Sequence, residues 1–266
     1  MPSKWTPVEE RLKFSELHQL YVVKNKTIGE VGRILGIAEQ TVFQRMKRLG
    51  ITSTPERKET YIAKKRLDIV IPKTYSNALA EFFGIMLGDG KLSYYQVVVT
   101  LGTKELAYAE YICSLIHKIF GVPPKIGFRK NGFKDVYIGS VDLTAWLRKE
   151  GLVYNKVKSQ VGVPRWIYRR HDFMQNFLRG FFDTDGSVYK LRFGIQLSFT
   201  NKSLPLLQAV YTVLQKLGYC TSHISGFRIY ITQRDDVLRF FKEIKPSNPK
   251  HKERFKTFWS QLSKGR

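Results

Sequence analysis

Cysteine is nearly missing from this chain of 266 residues: Cys113 and Cys220 are the two, and neither belongs to a CxxC pair or a Cys/His cluster. A structural zinc site is excluded by count, and both thiols are expected to be buried in a reducing cytosol. No run of about 18 apolar residues occurs, so no membrane-spanning helix is expected. The opening MPSKWTPVEERLK has no apolar core and does not read as a secretory signal. Together these absences predict a cytoplasmic protein. The five histidines are scattered singly, and no histidine pair or Ser/His/Asp set offers a hydrolytic chemistry. Acidic residues are scarce, 22 Asp+Glu against 45 Lys+Arg, for a net charge of +23.

So large an excess of positive charge points to an anionic polymer as partner. The basic residues are interleaved with Tyr and Phe rather than gathered in tails, and a 43% hydrophobic fraction is enough for packed cores. Residues 1–60 read as all helix. Thr6-Pro7 is an N-cap followed by proline, and Thr27 with Glu30 three residues later forms a capping box over Thr27 to Leu35. Gly36 breaks that helix. Ala38 to Leu49 follows, with Val42, Met46 and Leu49 inside and Gln40, Gln44, Arg45, Lys47 and Arg48 outside. This is a helix-turn-helix arrangement, suited to DNA or, as the alternative, to another protein. Residues 1–60 hold 11 Lys+Arg and 7 Asp+Glu, a net of +4, which leaves +19 for the remainder. Residues 61–75 read as a linker with a strand-like piece near Ile69–Ile71.

From residue 76 the chain repeats itself. LAEFFGIMLGDG (79–90) and FLRGFFDTDG (177–186) are apolar helices ending in Asp-Gly, each with a glycine five residues before the aspartate: Gly84 to Asp89, Gly180 to Asp185. Each is followed by a hairpin, a helix, a second hairpin and a shorter helix, an α-ββ-α-ββ-α order that occurs over 76–170 and again over 171–266. The expected class is α+β, with two pseudo-twofold related sheets. Glycines in both helices allow their backbones to approach. If the helices pack in parallel, Asp89 and Asp185 come together at their C-terminal ends. Two carboxylates there repel unless a cation lies between them, and carboxylate with carbonyl oxygens selects Mg²⁺.

The pair of Asp-Gly helices, with the elements that follow each, resembles the LAGLIDADG homing endonucleases in their single-chain, two-motif form. The resemblance implies a site-specific double-strand DNA endonuclease with Mg²⁺ or Mn²⁺, acting as a monomer in intron homing, whose saddle of antiparallel sheets lies in the DNA major groove. It implies metal held by Asp89 and Asp185 and by the carbonyls of Gly88 and Thr184. It also implies one basic residue near the metals in each repeat. NKVKSQ and NPKHKER are the matching regions, from which Lys158 and Lys252 are the first choices and Lys156 and Lys250 the next. The first motif has Leu87 where many members carry an additional acid, and the second keeps Asp183 there.

Strand alternation supplies the residues expected to face DNA. They are Gln96, Lys125, Arg129 and Lys134 in the first repeat, and Lys190, Arg192, Gln196, Ser198, Arg228, Tyr230 and Thr232 in the second. Arg and Lys suit guanine edges and Gln suits adenine, and each such residue can equally hold a phosphate. Gln40, Gln44, Arg45 and Arg48 are the corresponding set in the helix-turn-helix. Two other readings remain open: a DNA-binding regulator without cleavage, and an RNA maturase whose partner is intron RNA.

Overall fold

The computed structural model describes residues 5–52 and 68–264. The chain forms two compact units, residues 1–65 and 66–266. Residues 53–60 of the expected first domain and 61–67 of the expected linker lie outside the described residues.

In the first unit, helix α1 (Pro7–His18) runs into a π-helical turn, Gln19–Val23, and is followed by α2 (Ile28–Leu35) and α3 (Glu39–Arg48). Thr6 with Glu9 and Thr27 with Glu30 each close a capping box, satisfying backbone donors that a helix start leaves open. Gly36 ends α2 in the left-handed region, φ 65°, where a side chain would be strained. Leu17, Tyr21, Val31, Val42, Met46 and Ile51 form the core of this unit.

The second unit opens with α4 (Asn77–Leu87), capped by Ser76, whose hydroxyl accepts the Leu79 N–H. Strands β1 (Gly90–Leu92) and β2 (Gln96–Leu101), helix α5 (Leu106–Phe120), strands β3 (Lys125–Phe128) and β4 (Lys134–Gly139) and helix α6 (Val141–Lys149) complete the first repeat. The second repeat runs α7 (His171–Asp185), β5 (Gly186–Lys190), β6 (Ile195–Thr200), α8 (Leu204–Lys216), β7 (Arg228–Ile231), α9 (Arg234–Glu243) and α10 (Pro249–Lys264). The fold is α+β with two antiparallel sheets, ordered β1-β2-β4-β3 and β5-β6-β7. Register repeats as well: Gly90 pairs with Val99 and Gly186 with Phe199. Burial alternates along β2 and β4, so each presents one face to the helices and the other outward.

Helix α4 is buried on all sides from Leu79 to Leu87, which is why it reads as apolar all round rather than as an amphipathic stripe. Its main neighbour is α7, and the two backbones touch at the glycines. A Cβ on Gly84 would lie 2.2 Å from the Phe177 carbonyl oxygen, and one on Gly180 would lie 2.1 Å from that of Glu81. Only glycine permits this approach.

Four expectations need correction. The second hairpin of repeat two has one strand, because the Ser222 hydroxyl accepts the Tyr230 N–H where a second strand would offer a carbonyl. Ile69 and Ile71 pack on the core, and the Val70 N–H donates to the Phe120 carbonyl, without forming a strand. The closing tails differ: 151–164 is turns and irregular chain, whereas Pro249 starts a helix of 16 residues. Cys113 is half-buried and Cys220 exposed, so neither thiol is sealed in a core.

Asp183 ties the closing segment of repeat two to α7. It is fully buried and accepts the Ser247 N–H (2.8 Å) and the Asn248 N–H (3.0 Å). Burial raises its carboxyl to about 7 against the pull of those two donors. Beside it Glu81, also buried, accepts the Tyr111 hydroxyl (2.5 Å), the Ser247 hydroxyl (3.1 Å) and Arg179 (3.3 Å). His251, buried against the Phe182 ring, is lowered to about 3, first by burial and then by the Lys250 charge.

Two outcomes follow from this packing. Gly84→Leu must part the helices or strain its own rotamer, at about 1–3 kcal/mol or more, so calorimetry should show Tm falling by roughly 3 °C or more. Gly162→Ala, where an added Cβ meets nothing, should leave Tm nearly unchanged. Equal melting of Gly84→Leu and wild type would refute the crossing. Because folded His251 resists the proton that the unfolded chain accepts below about pH 6.5, its contribution to stability is lost as pH falls from 7 toward 3. A His251→Phe variant should show a shallower fall of Tm between pH 7 and 5, and an unchanged slope would contradict this.

Candidate active site

Each Asp-Gly motif lies where a central helix hands over to the first strand of its sheet. Gly88 caps α4, its N–H donating to the Gly84 carbonyl (3.0 Å), and Asp89 follows immediately before β1. Helix α7 continues through Asp185, and β5 begins at Gly186. The two ends meet. A Cβ on Gly88 would strike the Thr184 side chain and come within 3.4 Å of the Asp185 carboxyl carbon. The Asp89 charge acts directly on Asp185.

Asp185 is half-buried, and its carboxyl is raised to about 7, first by burial and then by Asp89. Asn201, at the end of the neighbouring strand, donates its amide to Asp185 Oδ2 at 2.6 Å, which opposes that rise. Asp89 keeps an exposed surface, yet enough protein crowds its carboxyl for desolvation to raise it, with Lys156 and Lys250 pulling the other way and Glu105 adding to the rise. The Lys156 ammonium donates to the Met86 carbonyl (3.1 Å) and to the Gly88 carbonyl. Burial lowers it, while Asp185 and Asp89 favour its charge. Lys250 is instead paired with Glu105 Oε1 at 2.8 Å. Glu105 also accepts the Asn248 amide (2.7 Å) and the Gly102 N–H (2.8 Å). Burial would raise Glu105, but these donors outweigh it and hold the carboxyl below its ordinary value.

The donors at this point are two carboxylates and main-chain carbonyls, hard oxygen atoms suited to Mg²⁺ or Mn²⁺. Among the described residues no group of three or more His, Cys, Asp or Glu side chains could hold a metal ion. A divalent ion here would therefore draw its remaining ligands from water and phosphate, as Mg²⁺ commonly does. The Lys156 ammonium already takes one of those carbonyls, so the position suits a cation. Thr184 turns its hydroxyl back onto the Phe181 and Gly180 carbonyls (3.0 and 3.1 Å).

Lys158 and Lys252 stand exposed, and the lysines acting on both aspartates are Lys156 and Lys250. A common signal precedes both: an asparagine whose side chain accepts a following backbone N–H, Asn155 from Lys158 and Asn248 from Lys250. Lysine comes directly after Asn155 and one proline after Asn248. Asn201 and Glu105 had no sequence signal, since both come to the site through strand and helix ends.

The outward faces hold part of the expected DNA-facing set. Gln96, Lys125, Gln196, Arg228, Tyr230 and Thr232 remain at least partly open, Gln196 bonding Thr232 at 3.3 Å. Arg129 is exposed but chelated by Asp135 (2.7 and 2.8 Å). Three positions differ from expectation. Lys134 is buried, donating to the Thr103 carbonyl. Ser198 is buried between its sheet partners Ser187 and Tyr230. Lys190 pairs with Ile195, so it points to the face opposite Gln196, where it stays exposed and reaches Gln261 at 2.7 Å. The reason is register: Tyr189, not Lys190, is opposite Gln196, and one residue of slip reverses the face. Arg192 sits in the turn, stacked over the exposed Phe193 ring at 4.9 Å. In the first unit Gln40 and Gln44 are exposed, while Arg45 and Arg48 fold over the Trp5 ring and Arg48 bonds Glu10 at 2.9 Å.

Residues 172–245 match the family model of a LAGLIDADG-like domain. Among curated proteins the chain is 28% identical over 144 residues to the replication factor C small subunit of Methanocaldococcus jannaschii, which covers 54% of this chain and 8% of that protein. It is 22% identical over 217 residues to the glutamine–fructose-6-phosphate aminotransferase of the same organism, covering 79% and 19%. The chain thus spans less than a fifth of the length of these curated relatives. Solved structures similar to it include the homing endonuclease I-DmoI in complex with DNA and Mn, at 19% identity and TM-score 0.46, covering 65% of this chain and 98% of that one. Another is the N-terminal LAGLIDADG domain of DUF199/WhiA, at 17% identity and TM-score 0.46, covering 65% and 86%. The matched stretch, residues 172–245, is the part of the chain that carries Asp185 and the second sheet.

Proposed function

We propose that the protein is a site-specific double-strand DNA endonuclease that hydrolyses phosphodiester bonds with a divalent metal, built from two LAGLIDADG repeats in one chain. One observation carries the reading: two helices crossing glycine to glycine bring Asp89 and Asp185 together, one from each repeat. The net charge of +23 supplies the attraction for duplex DNA, and the outward strand faces supply polar and basic side chains for its groove. The helix-turn-helix segment, with a net of +4, is an accessory contact.

Mg²⁺ or Mn²⁺ held by Asp89 and Asp185 with the Gly88 and Thr184 carbonyls would neutralise phosphate charge and polarise water. The chain's own groups do the rest. Lys156 and Lys250 bring positive charge to where the phosphorane develops negative charge. Asn201 fixes the rotamer of Asp185, and Glu105 holds Lys250 in place. A regulator that binds DNA without cutting it is the second reading, favoured by the Lys156 ammonium sitting on the Gly88 carbonyl.

Asp89→Asn and Asp185→Asn should each abolish linearisation of plasmid carrying selected target sites in Mg²⁺, while duplex binding by gel shift stays within about threefold, because shape is kept and only charge is lost. Linear product from either variant at near wild-type rate would refute the site. A wild-type protein that binds duplex and never nicks it would select the regulator, and preference for intron RNA over duplex in the same gel shift would select the maturase.

Deleting residues 1–60 should leave a folded, cleaving protein whose affinity falls and whose salt dependence becomes shallower by the phosphate contacts removed. Failure of the shortened chain to fold would mean that these helices belong to the core.

A further inference from the structure

The two lysines at the carboxylate pair are not equivalent. Lys250 is anchored by Glu105, itself fixed by the Asn248 amide and the Gly102 N–H. Lys156 has no such anchor: its ammonium rests on the carbonyls of Met86 and Gly88, at the end of α4, and faces the charges of both Asp89 and Asp185. That end of a helix carries the negative pole of its dipole. An ammonium and a divalent ion placed on the same Gly88 carbonyl would repel each other.

We infer that Lys156 is a built-in counter-ion of the Asp89–Asp185 pair, seated on the Gly88 carbonyl that a divalent cation needs, so that metal must displace it to bind. The inference rests on the proposed metal role of the two aspartates. Lys156 is a gate on metal entry: it holds the carboxylates together when no metal is bound, and swings clear toward the phosphate when metal arrives. Two like charges are thereby kept side by side without unfolding the motif ends, and the cost of displacing the lysine weakens metal binding until DNA supplies further ligands.

The test needs no cleavage. Ca²⁺ binding to the full chain is measured by calorimetry without DNA, alongside Tm in EDTA, for wild type, Lys156→Met and Lys158→Met. Lys158 lies two residues away and is exposed, so its loss reports the long-range effect of one charge. Lys156→Met is expected to bind Ca²⁺ about tenfold or more tightly than wild type, as removal of an adjacent like charge allows, and to melt lower in EDTA, with Ca²⁺ restoring more than the wild-type gain. Lys158→Met should differ little in either measure. Equal Ca²⁺ affinity of Lys156→Met and wild type, or an equal gain from Lys158→Met, would overturn the gate while leaving the metal role of the aspartates standing. Binding of Ca²⁺ to none of the three proteins would also overturn the gate, since removal of Lys156 would then open no site, while the metal role of the aspartates is decided by the cleavage assay of the Asp89→Asn and Asp185→Asn variants.

Discussion

The close approach of α4 and α7 at Gly84 and Gly180 is the constraint on which the rest of the second unit hangs. Helix axes separated by ordinary side chains lie 8–10 Å apart; here each glycine leaves room for a carbonyl of the other helix. The crossing brings the two C-terminal ends level, and from each end a strand leaves at the glycine after the aspartate, Gly90 and Gly186. The sheets then start from one central point in the same register, so one contact between two helices sets the origin of both repeats.

The same contact concentrates negative charge. Asp89 and Asp185 stand beside one another, and the structure answers with cations of two kinds: Lys156 against main-chain oxygens and Lys250 against Glu105. Behind them Asp183 and Glu81 are buried for a different purpose. Asp183 captures the backbone of Ser247 and Asn248, and this sets the segment from which Lys250 departs. The acid before the motif aspartate in repeat two is therefore architectural. Repeat one has Leu87 at that position, and its closing segment 151–164 follows an irregular path.

Asymmetry between the repeats has local causes. The first sheet has four strands and the second three, because the Ser222 side chain takes the Tyr230 N–H. Asp185 gains an amide donor from Asn201, whereas the matching position after Thr100 is Leu101, an apolar core residue. Two carboxylates related by a pseudo-twofold axis thus sit in different surroundings, one half-buried and hydrogen-bonded, the other exposed.

Periodicity and punctuation in the sequence determined the three N-terminal helices, the two Asp-Gly helices, most of the hairpins and the meeting of Asp89 with Asp185, because capping boxes, glycine spacing and apolar runs act within a few residues of themselves. Tertiary structure decided what depends on distant partners. Lys156 and Lys250 rather than Lys158 and Lys252 act on the aspartates, since the direction of a long side chain is set by the turn that carries it and by the oxygen it finds. Lys190 lies on the face opposite Gln196 because the pairing of β5 with β6 chooses the face, and Ser198 is covered by its cross-strand neighbours Ser187 and Tyr230; a pattern of alternation read along one strand contains neither the register nor the neighbours. Asn201 and Glu105 reach the site because a strand end and a helix start converge there, a convergence that only the packed chain defines.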